Sequence, residues 1–274
     1  MKILITGSHG FVGQAVTNHL APHHELLFFS RDLQKSPNLL DLPEVDAIIH
    51  LSGENISGYW TQKKKQRIKE SRCDFTEKLT TALIEQNRVP KIFLSASAVG
   101  YYGDRGEEIL DETAAKGEGF LSDVCACWEH ASKPLAKHGA RLVHMRFGMV
   151  LSKTGGALKK MLLPFKLGLG GRIGSGKQYM SSITLKDLTR AIEFVLMHKE
   201  LSGPVNFCSP EPLTNLEFSE RVAKSVNRTL GPPLPAFLAK LLFGQMGKEL
   251  LLSSTRAYPK KFLDAGFHFN KKPI

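Results

Sequence analysis

Residues 2–20 read KILITGSHGFVGQAVTNHL, and the fold turns on how this stretch is read. KILITG is a short apolar run, rich in β-branched residues, that stops at a glycine, which is the pattern of a buried strand. SHGFVGQAVTNHL follows with Phe11, Val12, Ala15, Val16 and Leu20 at helical spacing. Gly7, Gly10 and Gly13 fall between the two as G-x-x-G-x-x-G. Glycines in a strand-to-helix turn let the backbone turn tightly and approach a pyrophosphate closely. The helix that follows offers free N–H groups and the positive end of its dipole. Gly7, Gly10, Phe11, Val12 and Gly13 are therefore expected to line a dinucleotide.

The same alternation continues outward. Residues 25–32, ELLFFSRD, form a second strand, and its end is where the adenosine ribose of such a ligand is read. An acidic residue there accepts from a 2′-hydroxyl, whereas an arginine meets a 2′-phosphate with its planar fork of donors. Ser30 and Arg31 come first after the apolar run, so NADP is the expected cofactor, with Asp32 as the opposing signal for NAD. Residues 45–51 make a third strand that ends at Leu51, Ser52 and Gly53, all expected at the cofactor. Residues 60–86 read as one helix with Ile68, Phe75, Leu79 and Leu83 on its apolar face. Its lysine-rich start is a solvated basic face, while Arg72, deeper in the helix, lies on the side a cofactor phosphate reaches. Residues 91–104 make a fourth strand. Alternating helices and wholly apolar strands predict an α/β, Rossmann-type doubly wound parallel sheet.

Bulk properties narrow the function. A chain of 274 residues that is 42% hydrophobic supports one large domain with a small appendage. A net charge of +11 attracts anions. The basic stretch at 63–69 lacks the interleaved aromatics that single-stranded nucleic acid stacks on, so no nucleic acid is expected. The opening residues run straight into a strand and no run of 18 apolar residues exists, so a cytoplasmic protein without a membrane span is expected. Cys73, Cys125, Cys127 and Cys208 fit neither a zinc nor a disulfide spacing and are read as reduced thiols; no metal site is expected.

Taken together, TGSHGFVG (6–13), DAIIHLSGEN (46–55) and LSASAVGYYGD (94–104) resemble the extended short-chain dehydrogenase/reductase superfamily. SGENI, SR (71–72), MRFGMVLSKTGGAL, PFKLGLGG, GSGKQ and PKKFLDAGFHF look more closely like its epimerase-family subgroup, over nearly the whole chain. The resemblance implies a serine at the end of the fourth strand that orients the reacting oxygen, and Ser97 matches it, with Ser95 adjacent. It also implies a tyrosine–lysine dyad, Y-x-x-x-K, on the following helix. The glutamate that commonly follows that lysine by four matches Glu129, which places the lysine at Cys125 and the tyrosine at Leu121. Neither residue has the chemistry of the dyad. Tyr101 is then the first candidate acid, followed by Tyr102, Asp123 and Ser122.

The carboxy-terminal half supplies the substrate side. Residues 140–152 read as a strand that brings Val150 to the nicotinamide. Residues 167–188 form a glycine-rich loop whose Arg172 and Lys177 suit an anionic ligand; GRIGSGKQ is one residue short of a P-loop and lacks its strand and helix. Thr184 and Thr214 are expected helix caps. GPPLP (231–235) is a linker. The expected organisation is a cofactor domain over 1–230, with substrate-binding elements inserted at about 153–185 and 205–230, and a small, mostly α lobe over 231–274. The expected activity is hydride transfer between NADP and a small anionic substrate, by an oxidoreductase or epimerase and as a homodimer. The alternative is a non-catalytic NADP(H)-binding regulator, which the names of some relatives link to cell division.

Overall fold

A computed structural model describes residues 1–29 and 42–270. The first half alternates β1 (Lys2–Thr6), α1 (Phe11–Leu20), β2 (Glu25–Phe29), β3 (Ala47–His50), α2 (Gln62–Lys69), α3 (Phe75–Glu85) and β4 (Ile92–Ala98). A short β5 (Ile109–Leu110) leads to α4 (Phe120–Ser132), α5 (Pro134–Lys137), β6 (Arg141–Phe147) and β7 (Met149–Leu151). Next come α6 (Gly156–Lys166), β8 (Tyr179–Met180), β9 (Ser182–Thr184), α7 (Leu185–Met197) and β10 (Gly203–Phe207). The chain closes with β11 (Leu213–Thr214), α8 (Asn215–Ser225), α9 (Ala236–Met246), β12 (Arg256–Ala257) and α10 (Lys260–Asp264).

Six strands form the expected parallel sheet in the order β10-β6-β4-β3-β1-β2. The chain steps from β1 to β2 on one side and to β3 on the other, so the topological switch point lies between β1 and β3. Ligands of open α/β sheets bind outside the carboxyl ends of the strands at such a point. Strand alternation sends Ile3 and Ile5 to one face, where they pack with Val16 of α1 and Leu188 and Ile192 of α7. Leu4, Ile48 and Phe93 face the other way, onto Leu79 and Leu83 of α3. Among the described residues no helix is long and apolar enough to cross a membrane.

The elements depart from the sequence reading in three places. The single helix expected over 60–86 is broken by a π-helical turn, Glu70–Asp74, between α2 and α3. The strand expected over 140–152 splits at Gly148: β6 stays in the main sheet, and β7 leaves to pair with β9. A Cβ at residue 148 would stand 2.8 Å from the Ser181 carbonyl oxygen, so the crossing needs a glycine. The inserted segment also carries α6, a helix the sequence reading left out. Other expectations match. Thr184 and Thr214 cap α7 and α8, the latter with Glu217 in a complete capping box.

His50 is fully buried between Thr6, 2.7 Å from Nδ1, and Thr76, 2.9 Å from Nε2. Burial alone drives its pKa down to about 3. In the unfolded chain the value is about 6.5, so as pH falls the unfolded state takes up the proton first. The stability this histidine contributes is therefore complete above pH ~6.5 and is lost as pH falls towards 3. Unfolding free energy measured by urea titration should fall between pH 6.5 and 4.5 by about 2–3 kcal/mol more in the unmutated protein than in His50→Gln. Equal pH slopes in the two proteins would show that the histidine is not held neutral.

Candidate functional site

The switch point is built around two glycines. Gly7 ends β1 with φ +72°, a conformation that strains other residues. A Cβ there would stand 2.8 Å from the carbonyl of Leu51 and 2.9 Å from the amide of Ser52. The turn after β1 is thus pressed against the segment after β3. Gly13, in the first turns of α1, lies so close to this turn that a Cβ would be 2.2 Å from the Gly7 oxygen. Gly10 is the N-cap of α1; its amide donates to the Gly7 carbonyl at 3.0 Å, and no side chain caps the helix. The first amides of α1 therefore take no side-chain cap, as a helix start that serves a pyrophosphate requires. Phe11 packs its ring against Gly155 and Gly156, tying α1 to the start of α6. Val12 and Val150 are half-buried beside the core at the same edge. Ser30, Arg31 and Asp32, on which the choice of dinucleotide was read, lie outside the described residues.

The segment after β3 is held from the π-helical turn. Ser71 Oγ accepts from the Glu54 amide at 2.9 Å, and the Arg72 guanidinium stands against Gly53, 3.2 Å from where a Cβ would be. Glu54 in turn pairs with Lys64 at 2.7 Å.

Ser97, at the end of β4, is 2% exposed, and its hydroxyl donates to Glu129 Oε1 at 2.8 Å. Glu129 receives both forks of Arg146, each at 2.8 Å. Arg146 Nη1 donates to the Tyr102 hydroxyl at 2.9 Å, and Tyr102 donates to Asn206 Oδ1 at 2.7 Å. Burial pushes the Tyr102 phenol up to about 12, against the pull of the Arg146 charge. Tyr102 is thus a neutral member of a buried chain of hydrogen bonds. Tyr101 is half-buried, and its ring centre lies 3.6 Å from Arg146 Cζ. The other two candidate acids are engaged elsewhere: Ser122 Oγ donates to the Tyr101 and Gly117 carbonyls at 2.7 and 2.8 Å, and Asp123 pairs on the surface with Lys116 at 2.6 Å.

Leu121 and Cys125, the positions at which the resemblance implies the dyad, lie on a closed face of α4. Leu121 is 9% and Cys125 4% exposed. Burial pushes the Cys125 thiol up to about 12, so it stays protonated. Burial also raises the Cys73 and Cys208 thiols. Trp60, Ile68, Leu121, Val124 and Met246 form one apolar cluster over the start of α4. Glu249, from the π-helical turn that follows α9, accepts from the Phe120 and Leu121 amides at 3.2 and 2.9 Å and so caps α4. The sequence reading missed this cap, since no local pattern joins residues so far apart.

The glycine-rich loop is anchored rather than open. Arg172 Nη1 donates to its own loop, at Ser175 O (2.7 Å) and Gly174 O (3.4 Å), which holds the side chain on the turn; Lys177 is exposed. Gln178 Nε2 donates to the Ile173 and Leu251 carbonyls, both at 2.9 Å, tying the loop to the π-helical turn that follows α9. Among the described residues no group of His, Cys, Asp and Glu side chains could hold a metal ion.

This arrangement has close counterparts. Residues 3–207 match the model of the NAD dependent epimerase/dehydratase family, and residues 234–271 match a domain of unknown function (DUF1731). The chain is 39% identical to the epimerase family protein Mb2239 of Mycobacterium bovis, over 99% of this chain and 94% of that protein. It is 34% identical to the epimerase family protein YfhF of Bacillus subtilis, over 98% and 94%. The crystal structure of human epimerase family protein SDR39U1 (isoform 2) with NADPH superposes with a TM-score of 0.90 at 32% identity, covering 98% of this chain and 95% of that one.

Proposed function

Since the chain belongs to the NAD dependent epimerase/dehydratase family, we propose that it binds NADPH at the β1–β3 switch point and exchanges hydride between it and a small anionic substrate. The observation that carries the reading is the glycine turn. Gly7 and Gly13 bring the loop, the uncapped start of α1 and the end of β3 within contact of one another, which is the shape a pyrophosphate needs. The human counterpart solved with NADPH and Arg31 after β2 support NADP over NAD. The stretch between Glu129 and Asp187, which supplies much of the substrate side, contains no carboxylate side chain, and this supports an anionic substrate. Ser97 orients the reacting oxygen and Tyr101 donates the proton, both from the carboxyl end of β4.

A second reading is a protein that binds NADP(H) without turning it over. The apolar dyad face of α4 and the commitment of Ser97 to Glu129 favour it.

Titration calorimetry and single-turnover NADPH oxidation against a panel of carbonyl compounds separate the two. NADPH should bind more than tenfold tighter than NADH, from about 1.5–3 kcal/mol for one charge-assisted phosphate contact, and Arg31→Ala should remove most of that preference. With the best substrate, Tyr101→Phe should slow oxidation by about 10²–10⁴ at unchanged NADPH affinity. Equal affinities for the two cofactors would overturn the choice of NADP. Oxidation of NADPH by no compound would favour the non-catalytic reading.

A further inference from the structure

We infer that Cys73 and Cys127 are a redox-active pair, which a small-molecule disulfide converts into a bond between the π-helical turn and α4, and that closing this bond loosens the cofactor crevice. The last clause rests on the NADPH reading above; the chemistry of the pair does not.

The pair is set by the packing of two elements. Cys73 lies in the π-helical turn Glu70–Asp74 and is 3% exposed, and its Sγ stands 3.8 Å from the Val124 carbonyl of α4. Cys127 is three residues after Val124. A helical side chain leans toward the N-terminus, over the turn before its own Cα, so the Cys127 thiol is carried over the peptide that Cys73 already touches. The two thiols share a hydrogen bond, which adds to the larger effect of burial in raising the Cys73 thiol. Arg72 and Trp128, the next residues along each element, meet as well, 5.0 Å from Cζ to the ring centre. The other two thiols are engaged elsewhere. Cys125, two residues before Cys127, points another way and faces Gly100, and Cys208 Sγ donates to the Ala257 carbonyl at 3.4 Å.

Exposure divides the labour. Cys127 is half-buried and open to a reagent, whereas Cys73 is buried and protonated. The Cys127 thiolate attacks one sulfur of glutathione disulfide, forming a mixed disulfide and expelling a glutathione thiolate, which takes up the proton that Cys127 released. Cys73 Sγ then attacks Cys127 Sγ, and the second glutathione leaves with the Cys73 proton. Two protein thiols are oxidised and one disulfide is reduced to two thiols. Sulfurs in hydrogen-bond contact must close to about 2.05 Å to bond. The π-helical turn is the side that yields, since its extra residue already departs from a regular helix, while Glu249 holds the start of α4. Ser71 and Arg72, which stand against Glu54 and Gly53 beyond β3, move with the turn. A bond formed against such a shift is strained and readily reduced again.

Thiol counting and NADPH titration test the two halves. After treatment with glutathione disulfide, the unmutated protein should show two of its four thiols on denaturation, with a tryptic fragment that joins Cys73 to Cys127 and no glutathione retained. Cys125→Ser should oxidise in the same way, Cys127→Ser should form no such bond, and dithiothreitol should restore every thiol. By calorimetry the oxidised protein should bind NADPH about fivefold more weakly than the reduced protein, the scale of one hydrogen bond lost at the site. Cys127→Ser should bind NADPH equally before and after treatment. Four remaining thiols, glutathione held on Cys127 alone, or a bond between any other two cysteines would overturn the pair. Equal NADPH affinity in the oxidised and reduced protein would overturn its control of the crevice. If the reduced protein binds no NADPH, the cofactor reading fails and the control with it, while the thiol count still decides the pair.

Discussion

Glu129→Ala lowers the unfolding free energy by about 3–5 kcal/mol, the expected cost of removing one partner from a buried ion pair. Glu129 is 6% and Arg146 3% exposed, and the two forks of the guanidinium end on the two carboxylate oxygens. Without the carboxylate, Arg146 keeps the Tyr102 hydroxyl and the Tyr101 ring as its partners among the described residues, and the Ser97 hydroxyl loses its acceptor. A charge so stranded costs far more than the pair contributes when intact, because its desolvation is no longer offset. Against a total stability of about 5–15 kcal/mol, the loss is large enough to shift a urea midpoint well outside error. The double variant Glu129→Leu/Arg146→Leu should regain part of it, since neither charge is then left behind. A loss below about 1 kcal/mol for Glu129→Ala would mean that water reaches Arg146 and the network is not dry.

Gly13→Ala sharply weakens cofactor binding, whereas Gly10→Ala largely spares it. At residue 13 the new methyl would lie 2.2 Å from the Gly7 oxygen and 2.8 Å from Ser8 Cα, both backbone atoms that cannot swing aside. The turn must move away from α1, and away from the uncapped amides at its start. Losing two charge-assisted contacts at about 1.5–3 kcal/mol each weakens NADPH by more than about a hundredfold. Overpacking of this kind also lowers stability by about 1–3 kcal/mol. At residue 10 the nearest atom, again the Gly7 oxygen, is 3.2 Å away, a gap that a small shift relieves. Calorimetry on the two variants checks the contrast. Equal losses would put the decisive constraint in the glycine count and not in this one contact.

Both variants probe features of different legibility. The glycine turn could be read directly, because spacing and chemistry sit together within the first thirteen residues. So could the parallel sheet, from its wholly apolar strands, and the two capped helices, from Thr184 and from Thr214 with Glu217. The π-helical turn could not. Ile68, Phe75 and Leu79 keep a spacing that an unbroken helix satisfies equally well, so an expanded turn leaves no mark on the pattern. The exit of β7 from the sheet depends on the approach of Ser181 to Gly148, a contact set by tertiary structure. One signal was available and went unused. Arg146 stands inside the apolar run LVHMRFGMVL, and a charge in a buried strand demands a buried partner. Pursuing that demand leads to Glu129, and from there to Ser97 and Tyr102.

The cap on α4 bears on how the polypeptide matures. Phe120 and Leu121 take their acceptor from Glu249, which lies 129 residues downstream of Phe120. At about 5–20 residues per second, a ribosome delivers that carboxylate roughly 6–25 seconds after α4 has been made. Through that interval the sheet can collapse, while the start of α4 and the apolar cluster of Trp60, Leu121 and Val124 wait for Met246 to cover them. The nascent chain thus carries an uncovered apolar patch at this helix until Met246 is made. The stretch matched as a separate domain of unknown function acts, in assembly, as the last piece of the first domain.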